Sequence, residues 1–169
     1  MTNSPHSGAE KPRKAAGPVI SSNSEQRFSS NRSISGIVFS GLGQGAQFLG
    51  IEWVRRELRD KLGLNCFPGT LNLRIPEKSW SEIHARRNDF LKISGPDSGN
   101  CPGFLKHVKL QANGRANEAA YLILPELTVY KDVLEIISAD NLRQALGLTD
   151  GDLVIVEGLD LVDENQLGR

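Results

Sequence analysis

Thr70 and Asn72 stand at alternate positions in PGTLNL, a Pro-Gly turn followed by a short apolar run. Side chains two apart in a strand share a face, so a hydroxyl and an amide would sit side by side next to the turn. Their oxygens are acceptable ligands for a hard cation, but both are neutral and could not hold free Mg²⁺ strongly. A metal bound there would arrive on a nucleotide, held jointly with the phosphates. Hydrogen bonding across the sheet is the plainer use of the same two residues.

A second group of residues suits anion chemistry. Gly41, Gly43 and Gly45 alternate in SGLGQGAQF, between a strand-like and a helix-like stretch. Glycines permit positive φ and let backbone N–H groups approach an anion closely. A helix start near Phe48 adds free N–H groups and a positive dipole end. The spacing is neither a Walker A loop, since no Gly-Lys-Ser/Thr follows, nor a dinucleotide fingerprint, since the final x-x-G is missing. An ordinary strand-to-helix connection accounts for the same glycines.

Glu135 interrupts the apolar run Val-Leu-Glu-Ile-Ile. A carboxylate in a buried strand is costly unless it is paired or lies at a barrel mouth, which makes it informative. A solvent-facing glutamate on an edge strand is the alternative. His6, His84 and His107 have no metal-ligand spacing. No serine or cysteine stands in a recognisable nucleophile context, so triad chemistry has no support.

The elements that must position these groups follow from pattern. The 169 residues suggest one domain with a real core. The formal net charge is +0, which gives no reason to expect a nucleic-acid partner. Cys66 and Cys101 read as free thiols in a reducing cytoplasm. No stretch approaches the ~20 apolar residues of a membrane span, and the N-terminus lacks a secretory apolar segment. Residues 1–32, rich in Ser, Asn, Pro and Gly, read as a disordered tail in which KPRK is a solvated charge run. Residues 160–169 read as a flexible end, leaving a folded domain over 33–159.

Within that domain ISGIVFS reads as a strand, and FLGIEWVRRELRDKLG as one helix stopped by Gly63. LNLRI is a short strand, Trp80 to Leu91 a helix, and RNDFLKISGPDSGNCPG mostly loop. FLKHVKLQA alternates like a strand and ends at an Asn113-Gly114 turn. AAYLILP, VLEIIS and LVIVEG are further strands. NLRQALGL is a short helix or turn, and LTDGD is another turn. Many short strands with one strong helix imply a mainly β chain: a small barrel carrying helical insertions.

Four stretches in order, SGLGQGAQFL, LGLNCFPGTLNL, LPELTVYKDVLEIISADNLR and LTDGDLVIV, resemble the archaeal-type CTP-dependent riboflavin kinases. The resemblance implies a six-stranded cradle-loop (RIFT-type) β-barrel that transfers the γ-phosphoryl of CTP to the 5′-hydroxyl of riboflavin, giving FMN and CDP. It assigns Thr70 and Asn72 to Mg²⁺. It assigns Leu42, Gly43, Gln44, Gly45, Ala46 and Gln47, and a second segment of Asp140, Asn141, Leu142 and Arg143, to CTP. Thr128 and Glu135 match the flavin contacts. Glu135 would orient the 5′-hydroxyl or accept its proton, and Arg143 could add a cation near the phosphates.

The chain departs from the family where many members read R-T-H-Y. Here the residues are Leu127, Thr128, Val129 and Tyr130. The Phe104 to Ala112 region also matches poorly, and a tail stands where some archaeal members carry a helix-turn-helix domain. A same-fold kinase with another donor or acceptor, or a non-catalytic flavin- or nucleotide-binding module, are the alternatives. Donor preference and oligomeric state are not written in residue types.

Overall fold

The computed structural model describes residues 32–161. The N-terminal tail at 1–31 and the end at 162–169, with KPRK and His6, lie outside the described residues. Seven strands form: β1 (Arg32–Phe39), β2 (Leu71–Arg74), β3 (Leu91–Ile93), β4 (Gly103–Ala112), β5 (Arg115–Pro125), β6 (Val133–Ser138) and β7 (Leu153–Leu161). Every neighbouring pair is antiparallel, in the order β4-β5-β6-β2-β1-β7. Pairing of β7 back onto β4, Leu110 opposite Val156, closes a six-stranded barrel. Closure satisfies the strand edges that an open sheet would expose. β3 lies outside the ring, paired to the other end of β4 at Gly103 to Leu105.

Alternation fills the barrel. Val38, Leu71, Leu73, Val108, Leu110, Leu122, Leu134, Ile136, Val154 and Val156 are buried in one interior cluster. A second apolar cluster lies on the outer wall. There Leu49, Trp53, Val54 and Leu58 of the helices cover Ile93, Leu105, Ile123 and Ile137. β5 and β6 are therefore buried on both faces. Their sequences YLILP and VLEIIS read as continuous apolar runs for that reason, where a half-exposed strand would alternate.

The helices differ from the sequence expectation in three places. The single helix over Phe48 to Gly63 is two: α1 (Gln44–Leu49) and α2 (Glu52–Leu62). α1 starts four residues earlier than the apolar period suggests. Gly50 ends it, and the extended Ile51 (φ −72°, ψ 130°) opens α2. Apolar residues fall on helical spacing through the break, so the pattern hides it; the rings of Phe48 and Trp53 meet edge-on across it at 6.0 Å. The helix expected over Trp80 to Leu91 is α3 (Glu77–Ala85), entered through Pro76, followed by a 3-10 turn at Arg87–Asp89. Leu91 already belongs to β3, so the stretch read as loop holds a short strand. α4 (Leu142–Leu146) completes the elements, with Asn141 as its N-cap.

Candidate active site

The site is built on the outward face of β2. Leu71 and Leu73 point into the barrel, so Thr70 and Asn72 point out. The Thr70 hydroxyl donates to Asn72 Oδ1 at 3.0 Å. This bond runs along one strand, two residues apart, and is not the cross-strand pairing that sheet chemistry alone suggests. Register extends the row sideways: Asn72 lies opposite Phe39 on β1 and opposite Glu135 on β6.

The glycine-rich stretch lies directly on this row. A Cβ at Gly41 would collide with Asn72 Nδ2. A Cβ at Gly45 would lie 2.5 Å from Thr70 Oγ1 and 2.9 Å from Glu135 Oε1. Real Cβ atoms do not approach so closely, so a side chain at either position would displace Thr70, Asn72 or Glu135 from this arrangement. Gly43 caps α1 at φ 77°, a left-handed conformation. Gly41 and Gly45 are thus explained by contact with Thr70, Asn72 and Glu135, and Gly43 by its left-handed backbone.

Glu135 is neither on an edge strand nor solvent-facing, because β6 pairs with β2 on one side and β5 on the other. It faces away from the barrel axis, beneath the glycine-rich loop. Among the described residues its carboxylate has no hydrogen-bond or ion-pair partner. Burial raises its pKa above the ordinary glutamate value. A half-buried, unpaired carboxylate beside a cleft marks a functional site more often than a structural one.

Two cavities meet at Thr70 and Asn72. One, of about 140 Å³, runs from Phe67 and Thr70 to Ser138 and the segment Asp140 to Arg143. The other, a narrow cleft of about 10 Å³, is bounded by Phe39, the Gly41 to Gln44 loop, Asn72, Tyr130, Val133 and Glu135. Thr70 lines the first and Asn72 the second, so their hydrogen bond sits at the junction.

Each residue singled out in the sequence can be placed. Of the loop residues, Gly45 packs on Thr70 and Glu135, Leu42, Gly43 and Gln44 line the smaller cavity, and Ala46 and Gln47 continue α1 without lining either cavity. Asp140, Asn141, Leu142 and Arg143 line the larger cavity. Asn141 Oδ1 accepts from Gln144 N–H at 3.3 Å, Leu142 is buried in the core, and the Arg143 guanidinium pairs with Asp150 at 2.8 Å. Thr128 lies in the β5–β6 connection, where its hydroxyl oxygen accepts from Tyr130 N–H at 3.2 Å. Its neighbours Tyr130 and Val133 line the Glu135 cavity, and Thr128 itself does not. Leu127 and Val129, at the positions departing from R-T-H-Y, are 79% and 83% exposed.

The structure adds Phe39, Phe67, Tyr130, Val133 and Asp150 to the site. Phe39 and Val133 are ordinary strand residues whose role depends on register, which no local pattern announces. Phe67 stands just before PGTLNL, and Asp150 lies in the LTDGD turn; proximity to those motifs was their signal.

Cys66 packs against the second apolar cluster, donating to the Ser138 carbonyl at 3.5 Å, and burial pushes its thiol up to about 11. It is protonated near neutral pH and no nucleophile. Among the described residues no group of three or more His, Cys, Asp or Glu could hold a metal ion. The Thr70–Asn72 oxygens, 3.0 Å apart and neutral, fit a hard divalent cation whose charge is balanced by phosphates. Among the described residues no helix is long and apolar enough to cross a membrane.

Residues 38–157 match the family model named for the CTP-dependent riboflavin kinases, described as domain of unknown function DUF120. The chain is 41% identical over 130 residues to a riboflavin kinase of Archaeoglobus fulgidus, a match covering 73% of this chain and 53% of that protein. It is 35% identical over 125 residues to a riboflavin kinase of Methanobrevibacter smithii, covering 73% of this chain and 98% of that protein. A riboflavin kinase of Saccharolobus solfataricus is 36% identical, with 73% and 72% covered. The chain thus spans about half of the first relative and nearly all of the second. The chain belongs to the CTP-dependent riboflavin kinase family, and these relatives are named riboflavin kinases.

Proposed function

We propose that this protein transfers the γ-phosphoryl group of CTP to the 5′-hydroxyl of riboflavin, giving FMN and CDP. The observation that carries the reading is the seating of the glycine-rich loop on Thr70, Asn72 and Glu135, where two cavities meet. The larger cavity, with Arg143 and the Asp140–Asn141 backbone, suits the nucleotide. The smaller, with Tyr130, Phe39 and Glu135, suits the acceptor's hydroxyl end, with Thr128 contributing through the β5–β6 connection. The family's name supports CTP as donor.

Phosphoryl transfer needs an in-line approach and neutralised charge on the phosphate oxygens. Backbone N–H groups of the loop and the Arg143 guanidinium would supply donors to the phosphates. Thr70 and Asn72 would hold Mg²⁺ delivered with the nucleotide, and the ion would supply neutralisation of phosphate charge. Glu135 orients the 5′-hydroxyl and takes its proton as the new O–P bond forms and the β–γ bridge bond breaks, leaving CDP. Its raised pKa brings it nearer the operating pH, as a general base requires. The riboflavin and nucleotide substrates and the free thiols fit a cytoplasmic enzyme.

The test is a product assay with riboflavin, Mg²⁺ and, separately, CTP, ATP, GTP or UTP. FMN from CTP alone is expected. FMN from ATP as well would keep the kinase and remove the donor specificity. Flavin binding without FMN from any donor would leave a binding module.

A further inference from the structure

Asp150 lies outside the two candidate nucleotide segments, yet its carboxylate bonds Ser40, at the head of one, and Arg143, in the other. The LTDGD turn is held by other groups. Thr149 N–H donates to Asp152 Oδ2 at 2.8 Å, Val38 N–H donates to Asp152 O at 2.9 Å, and Gly151 N–H donates to Val38 O at 2.8 Å. These bonds dock the turn on the end of β1 and leave the Asp150 side chain free to reach outward. Asp150 Oδ1 accepts from Arg143 Nη2 at 2.8 Å and from Ser40 Oγ at 3.2 Å, and Oδ2 accepts from Ser40 N–H at 3.2 Å. Ser40 opens the glycine-rich stretch, and Arg143 lines the larger cavity. One carboxylate therefore ties together the two candidate nucleotide segments, more than 100 residues apart in sequence.

Stability does not explain this arrangement. The Asp150 side chain is 53% exposed and that of Arg143 34%, and exposed ion pairs contribute little to folding. A carboxylate near a polyphosphate site would also repel the ligand, unless its charge is occupied by a cation it orients. We propose that Asp150 is a positioning residue for nucleotide binding, fixing the Arg143 guanidinium and the start of the glycine-rich loop in one frame. This rests on the nucleotide reading of the larger cavity. The arrangement lowers the Asp150 pKa, mainly through the Arg143 bond and then the Ser40 hydroxyl, so the link is ionised at neutral pH.

The experiment compares wild type, Asp150→Asn, Ser40→Ala, Arg143→Ala and Asp150→Asn/Arg143→Ala for CDP affinity by calorimetry and for FMN formation. Asp150→Asn is expected to lower kcat/KM for CTP about tenfold, with the riboflavin KM within about twofold of wild type. Ser40→Ala should shift the same way by less. A structural defect would lower the active fraction without selecting the nucleotide. In the double variant, the Asp150→Asn effect should vanish, because it acts through Arg143. Asp150→Asn with unchanged CTP kinetics, or an effect that multiplies fully with Arg143→Ala, overturns the inference while the kinase reading stands. A wild type that neither binds CDP nor makes FMN overturns both.

Discussion

β6 has two buried faces with opposite contents. Inward, Leu134 and Ile136 are fully buried in an apolar barrel. Outward, Glu135 sits beneath the glycine-rich loop, opposite Asn72, with Ile137 beside it in the second apolar cluster. The inner face buries only groups that gain from leaving water. The outer face buries a carboxylate that loses hydration and finds no partner among the described residues, a cost that a ligand would offset. Stability and chemistry are thus separated by the two-residue period of one strand.

Glu135→Gln sharpens this contrast most. Turnover should fall about a hundredfold or more while CDP affinity changes little, as expected when a general base is lost. Stability should move the other way. The Glu135 pKa is raised in the folded state, so the folded protein binds this proton more tightly than the unfolded chain. Its contribution therefore favours folding at low pH and is lost as pH rises through the folded pKa. The Gln variant lacks that loss, and its Tm at pH 7 should exceed wild type by a few degrees. Thermal melts from about pH 4 to pH 8 would expose the difference. Unchanged turnover would remove Glu135 from the chemistry.

Gly45→Ala attacks the same face through space. The added methyl meets Thr70 and Glu135, so the loop must lift off the polar row. The expected loss is on the order of a hundredfold in kcat/KM per mole of folded protein, since misplacement near the reacting groups is costly. Leu134→Ala is the control on the inner face. It should cost about 2–5 kcal/mol of stability by denaturant titration and leave kcat of the folded fraction close to wild type. If Leu134→Ala lowered kcat as much as Gly45→Ala does, the two faces would not be separable.

The barrel was legible where burial is one-sided. Alternation in FLKHVKLQA, and the turns at Asn113-Gly114 and LTDGD, are local signals that β4, β5 and β7 obey. β3 escaped because only three residues pair and two of them are exposed. The break at Gly50 escaped because the apolar period runs through it. In the site, Thr70, Asn72 and the glycines were readable as types at fixed spacing. What placed Glu135 opposite Asn72, or Phe39 and Tyr130 against the same cavity, is long-range register and loop course. Asp150 was hidden for a different reason: aspartate is an ordinary turn residue, and only the fold shows that Asp152 holds the turn while Asp150 reaches across it.

The junction of the two cavities is tested most directly by following the phosphoryl group. CTP labelled at the γ-phosphate would be mixed with riboflavin and wild-type protein or Asn72→Ala across a Mg²⁺ titration. The label should appear in FMN with wild type, and Asn72→Ala should need about tenfold more Mg²⁺ for the same rate, the loss expected for one ligand of a shared ion. Label in FMN with an identical Mg²⁺ dependence for both proteins would contradict the metal-holding role of the Thr70–Asn72 pair, and no labelled FMN from wild type would contradict phosphoryl transfer at that junction.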